Sequence, residues 1–235
     1  MDLGPWYGLP VPAYLFDFNG VLVDDERVHF AAFRDVLARR GVVLEEHTYL
    51  ERYLAFDDAT AFRAMLENGG RPNDAEAVAA CVAEKLPLYL AAVSHELVLF
   101  PGAFELLRAC AAHGEVAIVS GALRVEIELA LERASAQGLV KTIVAAEDVT
   151  VCKPDPAGYR EALRRLAIEP EGAIVIEDSL AGIEAAHAAG CAVVGVAHSY
   201  PLEALRRSPA ALVVERIAEL DVARLDAARL ARSRS

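Results

Sequence analysis

Cysteine is scarce and scattered. The four residues Cys81, Cys110, Cys152 and Cys191 form no Cys-x-x-Cys pair and have no histidine at zinc spacing. They give no thiolate zinc site and are expected to be small core residues in a reducing compartment. Positive charge is also short, with 23 Lys and Arg against 35 Asp and Glu and a formal net charge of −12. Such a chain repels a phosphate backbone, so nucleic acid is not expected as its main partner. An anionic small molecule must be met by a local cation. No apolar run reaches the roughly 18 residues of a membrane span, and none of the first twelve residues forms the basic start of a secretory signal. No membrane association and a soluble, cytoplasmic protein are therefore expected. Internal repeats and low-complexity segments are missing as well.

What is present is a hydrophobic share of 55% over 235 residues, enough for a large core or a core plus a smaller module. After an irregular, Gly- and Pro-rich lead-in over residues 1–12, Tyr14 to Phe18 reads as a buried strand. Val28, Ala32, Phe33, Val36 and Leu37 then recur at helical spacing up to Gly41. From about 42 to 95 there is no convincing strand. Tyr49–Leu66 and Ala75–Val93 read as two helices, with Pro87 expected to kink or divide the second. Alternation then resumes. Strands are expected at Val116–Val119, Thr142–Ala145, Ala173–Ile176, Ala192–Val196 and Leu212–Val214. Helices are expected at Ala103–His113, from Gly121 to about Ala136, Tyr159–Leu166 and Ala181–Ala189, before a frayed basic tail (Arg229, Arg232, Arg234). Strands that are apolar runs rather than alternating patterns indicate a parallel sheet covered on both faces. The expected fold class is α/β: a three-layer Rossmann-like core, 1–23 and 96–235, with an inserted all-α unit over 24–95.

The polar residues at the strand ends carry the chemistry. The first strand ends in Asp17, the next in Ser120, a later loop holds Lys153, and another strand ends in Glu177-Asp178. C-terminal ends of parallel strands line one crevice, and a nucleophile, a hydroxyl, a cation and an acidic pair suit phosphoryl transfer. Taken singly, each has a plain structural use as a turn cap, a solvated lysine or a helix start.

These stretches resemble a known family. Phe16-Asp17-Phe18-Asn19-Gly20-Val21, Val119-Ser120-Gly121, Lys153-Pro154-Asp155-Pro156 and Ile176-Glu177-Asp178-Ser179-Leu180-Ala181-Gly182-Ile183 look like the four motifs of the haloacid dehalogenase superfamily, in its order. They are similar to its β-phosphoglucomutase and phosphoglycolate-phosphatase-like branch, which carries a helical cap after the first motif. The resemblance implies a Mg²⁺-dependent hydrolase of small phosphorylated metabolites. Asp17 would become an aspartyl phosphate, Ser120 would hydrogen-bond the transferring group and Lys153 would neutralise it. Asp17, the backbone carbonyl of Asn19 and Asp178 would hold Mg²⁺, with Glu177 helping through water. Gly121, His29 and Lys85 are the implied substrate contacts, and Arg124, one helical turn past Ser120, is a further candidate to meet an anionic substrate; each of the last three also reads as an ordinary helix residue. The stretch Tyr53 to Asp58 lacks the Gly-Arg of many relatives' cap loops.

Asn19 departs from the pattern. The family's phosphatases and mutases have an aspartate there, which exchanges a proton with the leaving oxygen. An amide cannot, and general acid–base catalysis is typically worth about 10²–10⁴-fold. Three readings stand. The chain is a phosphatase that uses His29, water or a good leaving group; or it performs a related chemistry (phosphonatase, dehalogenase or mutase); or it is a non-catalytic binder or an engineered trap.

Overall fold

The computed structural model describes residues 11–54, 56–95 and 97–232. Arg234 and most of the lead-in expected at the N-terminus lie outside them. The strands β1 (Ala13–Phe16), β2 (Glu115–Val119), β3 (Thr142–Val144), β4 (Ala173–Glu177), β5 (Ala192–Val196) and β6 (Leu212–Val214) form one sheet. Their order is β3-β2-β1-β4-β5-β6, and every pairing is parallel. Alternate residues of each strand enter two different apolar layers. Tyr14, Phe16, Ile118, Ile176 and Val194 pack beneath α5 (Ala103–Ala111), α6 (Arg124–Arg133) and α10 (Val222–Arg232). Leu15, Ala117, Val119, Val175 and Val193 pack beneath α7 (Ala157–Leu166), α8 (Leu180–Ala188) and the short α9 (Leu202–Leu205). Burial on both faces is why these strands read as unbroken apolar runs.

Between β1 and α5 the chain is helical: α1 (Glu26–Ala38), α2 (Glu46–Arg52), α3 (Asp58–Asn68) and α4 (Ala75–His95). These helices bury a third cluster, which includes Phe33, Leu37, Tyr49, Phe62, Met65 and Cys81. The two connections to the sheet run side by side: Val23 bridges Leu99 antiparallel, and Asp24 N–H donates to the Val98 carbonyl at 2.9 Å.

Three expectations are corrected. Tyr49–Leu66 is two helices, because Asp57 caps a new start by accepting from Thr60 N–H at 2.8 Å and Thr60 Oγ1 at 3.1 Å. Pro87 does not divide α4. Side chains on both sides of it are anchored, Lys85 to Asp58 and His29, and Tyr89 to Asp25. The same helix is, by length and a mean hydropathy of 1.5, apolar enough to cross a membrane, although Glu76, Glu84 and Lys85 interrupt its apolar run. Here it packs on α1 and α3. Lastly, the tail expected to fray is α10, whose Leu225 and Ala228 complete one sheet layer. Its Arg229 is buried, 3.4 Å from Asp226, and Tyr14 Oη donates to that aspartate at 3.2 Å.

Candidate active site

β1 pairs with β2 on one side and β4 on the other, so the order of strands reverses around it. The C-terminal edge at such a switch is where open α/β sheets bind ligands. The register sets what gathers there. Phe16 is level with both Ile118 and Ile176, so the residues just beyond are Asp17, Ser120 and the pair Glu177-Asp178. Asp17 N–H donates to the Ile176 carbonyl at 3.0 Å and Ser120 N–H to the Val144 carbonyl at 3.0 Å, carrying the sheet's order into these turns.

Lys153, in the loop before α7, reaches under this edge. Its Nζ lies 2.8 Å from Asp17 Oδ1 and 2.6 Å from Glu177 Oε1, and it donates to the Val119 carbonyl at 3.2 Å. The Asp17 contact is an ion pair that leaves Oδ1 without an aligned hydrogen-bond donor. Glu177 is saturated. One oxygen accepts from Lys153 and from Tyr159 Oη at 2.9 Å; the other accepts from Asp178 N–H, Ser179 N–H and Ser179 Oγ at 3.0–3.1 Å. A Cβ on Gly182 would fall 1.7 Å from this carboxylate, so the motif's glycine is required by the acid's position.

Oxygens of Asp17, Glu177 and Asp178 lie within 4.8 Å of one another, all buried. Three carboxylates thus face one ammonium. Burial pushes Asp17 up, against the pull of Lys153. Burial, then the charges of Glu177 and Asp17, drives Asp178 well above the carboxylate range. Glu177 stays below that range, because Lys153 and its other donors outweigh burial. Lys153 itself is held up by both acids despite its burial. A donor set of hard oxygens short of positive charge, with an undonated oxygen on Asp17, fits a divalent cation such as Mg²⁺.

A cavity of about 440 Å³ opens above this edge. Asp17, Asn19, Ser120, Gly121, Lys153 and Asp178 form its floor, and His29, Leu54, Phe56 and Arg63 line it from the helical insert.

The family model of the haloacid dehalogenase-like hydrolases matches residues 14–196. The chain belongs to the haloacid dehalogenase-like hydrolases. Among its relatives, validoxylamine A 7'-phosphate phosphatase of Streptomyces hygroscopicus subsp. limoneus is 32% identical over 196 residues, covering 81% of this chain and 88% of that protein. Protein CbbY of Rhodobacter capsulatus is 30% identical over 196 residues, covering 79% and 85%. The crystal structure of CbbY from Rhodobacter sphaeroides in complex with phosphate superposes with a TM-score of 0.81 at 28% identity, covering 92% of this chain and all of that one. β-Phosphoglucomutase from Clostridium difficile shares the fold, with a TM-score of 0.85 at 21% identity.

Within this haloacid dehalogenase-like hydrolase, Asn19 is held from the insert. Its Nδ2 donates to both oxygens of Asp25, at 3.0 and 3.1 Å, and lies 3.2 Å from His29 Nε2. Its Oδ1 is left to face Ser120 Oγ at 3.5 Å. Asp25 is buried, and the His29 charge with bonds from Tyr89 and Asn19 keeps its carboxyl low against burial. Ser120 Oγ also accepts from Ala122 N–H at 3.1 Å, so it serves both as a turn cap and as a wall of the cavity.

Two expected substrate contacts lie elsewhere. Lys85 is fully buried, donating to Asp58 at 2.6–2.7 Å with its Nζ 2.8 Å from His29 Nδ1, and it does not line the cavity. Arg124 donates to Asp148 at 2.5 Å and to the Ile143 carbonyl at 3.2 Å, also outside the cavity. The sequence reading passed over Asp25 as a partner of Asn19, Tyr159 as a donor to Glu177, and the residues after β5. The run Asp24-Asp25 offered a signal for the first; the others hold positions that only the fold reveals.

Proposed function

We propose that this hydrolase cleaves small phosphomonoesters with Mg²⁺. The convergence of Asp17, Ser120, Lys153 and Asp178 on one sheet edge at the floor of a cavity carries the reading. Relatives whose names state phosphatase activity toward phosphorylated small molecules support it.

Asp17 would hold the cation together with Asp178 and the backbone carbonyl of Asn19; when bound, the cation offsets charge on the phosphoryl group. Asp17 attacks phosphorus through a carboxylate oxygen, the bond to the leaving oxygen breaks, and an aspartyl phosphate forms. Water then attacks that phosphorus, the acyl–phosphate bond breaks, and inorganic phosphate leaves. Lys153 holds Asp17 ionised and faces the phosphoryl oxygens, and Ser120 donates to them. Glu177, with every lone pair engaged, anchors Lys153 rather than the cation. Asn19 neither gives nor takes a proton, so the reading is of an enzyme suited to good leaving groups, with His29 the nearest imidazole.

Residues 24–95 act as a cap that swings on the two connections bridged at Val23 and Leu99 and excludes water from the cavity. Mg²⁺-dependent release of phosphate from an aryl phosphate, lost in Asp17→Asn, is the expected result. A second reading rests on the amide of Asn19 being tied to Asp25. In it the chain holds a phosphorylated ligand without turnover, and affinity for phosphate esters without any phosphate release would select it.

A further inference from the structure

The cation site of the proposed hydrolase is built on the ends of β1 and β4, but a third strand end reaches it. We infer that the loop after β5, residues 197–200, sets the geometry of this site. Ser199 is a positioning residue for Asp178, and His198 is one for the turn at Gly20. The inference rests on the phosphohydrolase reading and extends it to residues that none of the four motifs contains.

Ser199 Oγ donates to Asp178 Oδ2, and among the described residues it is the one side-chain donor to that carboxylate. Asp178 is buried with two other acids, and this bond orients its carboxyl group. His198 works on the opposite side of the same gap. Its Nδ1 donates to the Gly20 carbonyl at 2.7 Å, while Nε2 accepts from Ile217 N–H at 3.3 Å. Those two bonds settle the tautomer, and a stack on Phe100, with centroids 3.9 Å apart and planes 17° apart, settles the ring plane. The carbonyl it holds belongs to the residue after Asn19, in the turn that follows the nucleophile.

The loops meet without slack. Gly20 has a φ of +75°, and a Cβ there would lie 1.9 Å from Asp178 Oδ2 and 2.9 Å from Ser199 Oγ. The loop is itself tied down, with Ala197 N–H donating to the Val214 carbonyl at 2.9 Å. Ser199 and Tyr200 both line the cavity, so the hydroxyl stands at the site rather than behind the sheet. A ligand carboxylate oriented by a fixed donor binds its cation more tightly, because its orientation is already set in the folded protein.

The experiment is calorimetric titration of Mg²⁺ into the metal-free full chain, alongside its melting temperature. Ser199→Ala is expected to weaken Mg²⁺ binding by about 10-fold or more, with the melting temperature nearly kept. Ser199→Thr, which retains the hydroxyl, is expected to restore most of the affinity. In turnover, the Mg²⁺ concentration for half-maximal rate rises in Ser199→Ala. Unchanged affinity in Ser199→Ala overturns the assignment, as does a loss that Ser199→Thr leaves unrepaired. His198→Gln tests the second contact in the same titration, and wild-type affinity there removes His198 from the proposal. A wild-type chain that binds no Mg²⁺ overturns instead the metal reading on which the inference stands.

Discussion

Asp17 and Asn19 are two residues apart and carry opposite consequences. Removing the carboxylate nucleophile by Asp17→Asn is expected to lower phosphate release by a factor on the order of 10³ or more. Asn19→Asp restores an ionisable group beside the leaving oxygen, and an aryl phosphatase assay is expected to gain about 100-fold. No gain would mean that the site, with Asp25 already placed against position 19, handles protons elsewhere. The smallest residue in the motifs makes a sharper structural claim. Gly182→Ala puts a methyl group into the Glu177 carboxylate, and overpacking of this kind costs about 1–3 kcal/mol, readable by urea unfolding. At this scale the sequence was informative where a residue's chemistry is rare at a strand end, as with Asp17 and Lys153. It misled where the side chain is long. Lys85 and Arg124 stand near the cavity in sequence register, but each is drawn to a carboxylate, Asp58 or Asp148, that no local pattern connects to it.

Between elements, those same ion pairs act as joints. Lys85 ties α4 to α3 and α1, and Lys85→Met leaves Asp58 uncompensated in a largely buried place. A loss of about 3–5 kcal/mol is expected in chemical denaturation. Asp148 joins α6 and α7 beside β3 by accepting from Ala145 N–H, Arg165 and Arg124. Burial pushes its carboxyl up, but those three donors outweigh burial and hold it below the usual range. A depressed carboxyl stabilises the fold fully above its unfolded pKa of about 3.9, and the contribution fades as pH falls through the folded value. Asp148→Asn is therefore expected to cost about 1–2 kcal/mol at neutral pH, with the gap to wild type closing in acid. Strands were legible as unbroken apolar runs, and core helices because their apolar residues recur on one face. The break at Tyr53–Asp57 was not, since both halves share one helical period and only the Asp57 cap separates them. Helix α10 was hidden in a run of arginines whose buried member, Arg229, is paired within the helix.

At the scale of the molecule, the sheet buries two layers and the insert a third, so the α/β class followed from strand composition alone. Which strands neighbour β1 could not be read, because parallel order is set by crossovers rather than by local pattern. That order gathers the proposed cation ligands between β1 and β4, and a cation bound only by the folded chain would stabilise it. Mg²⁺ at about 100 times its dissociation constant adds about 2.7 kcal/mol. A chain of this size should then melt about 5–10 °C higher, and a chelator should reverse the shift in a thermal scan.

The bond from Tyr14 to Asp226 spans 212 residues, and it bears on how the chain is made. Synthesis delivers β1 first, yet both its neighbours and the helix that bonds its tyrosine arrive far later. The central strand must wait, its edges unpaired, until β2 and β4 have been made. Such a chain is exposed to sticking during translation, and its yield is expected to depend on chaperones that shield nascent strands.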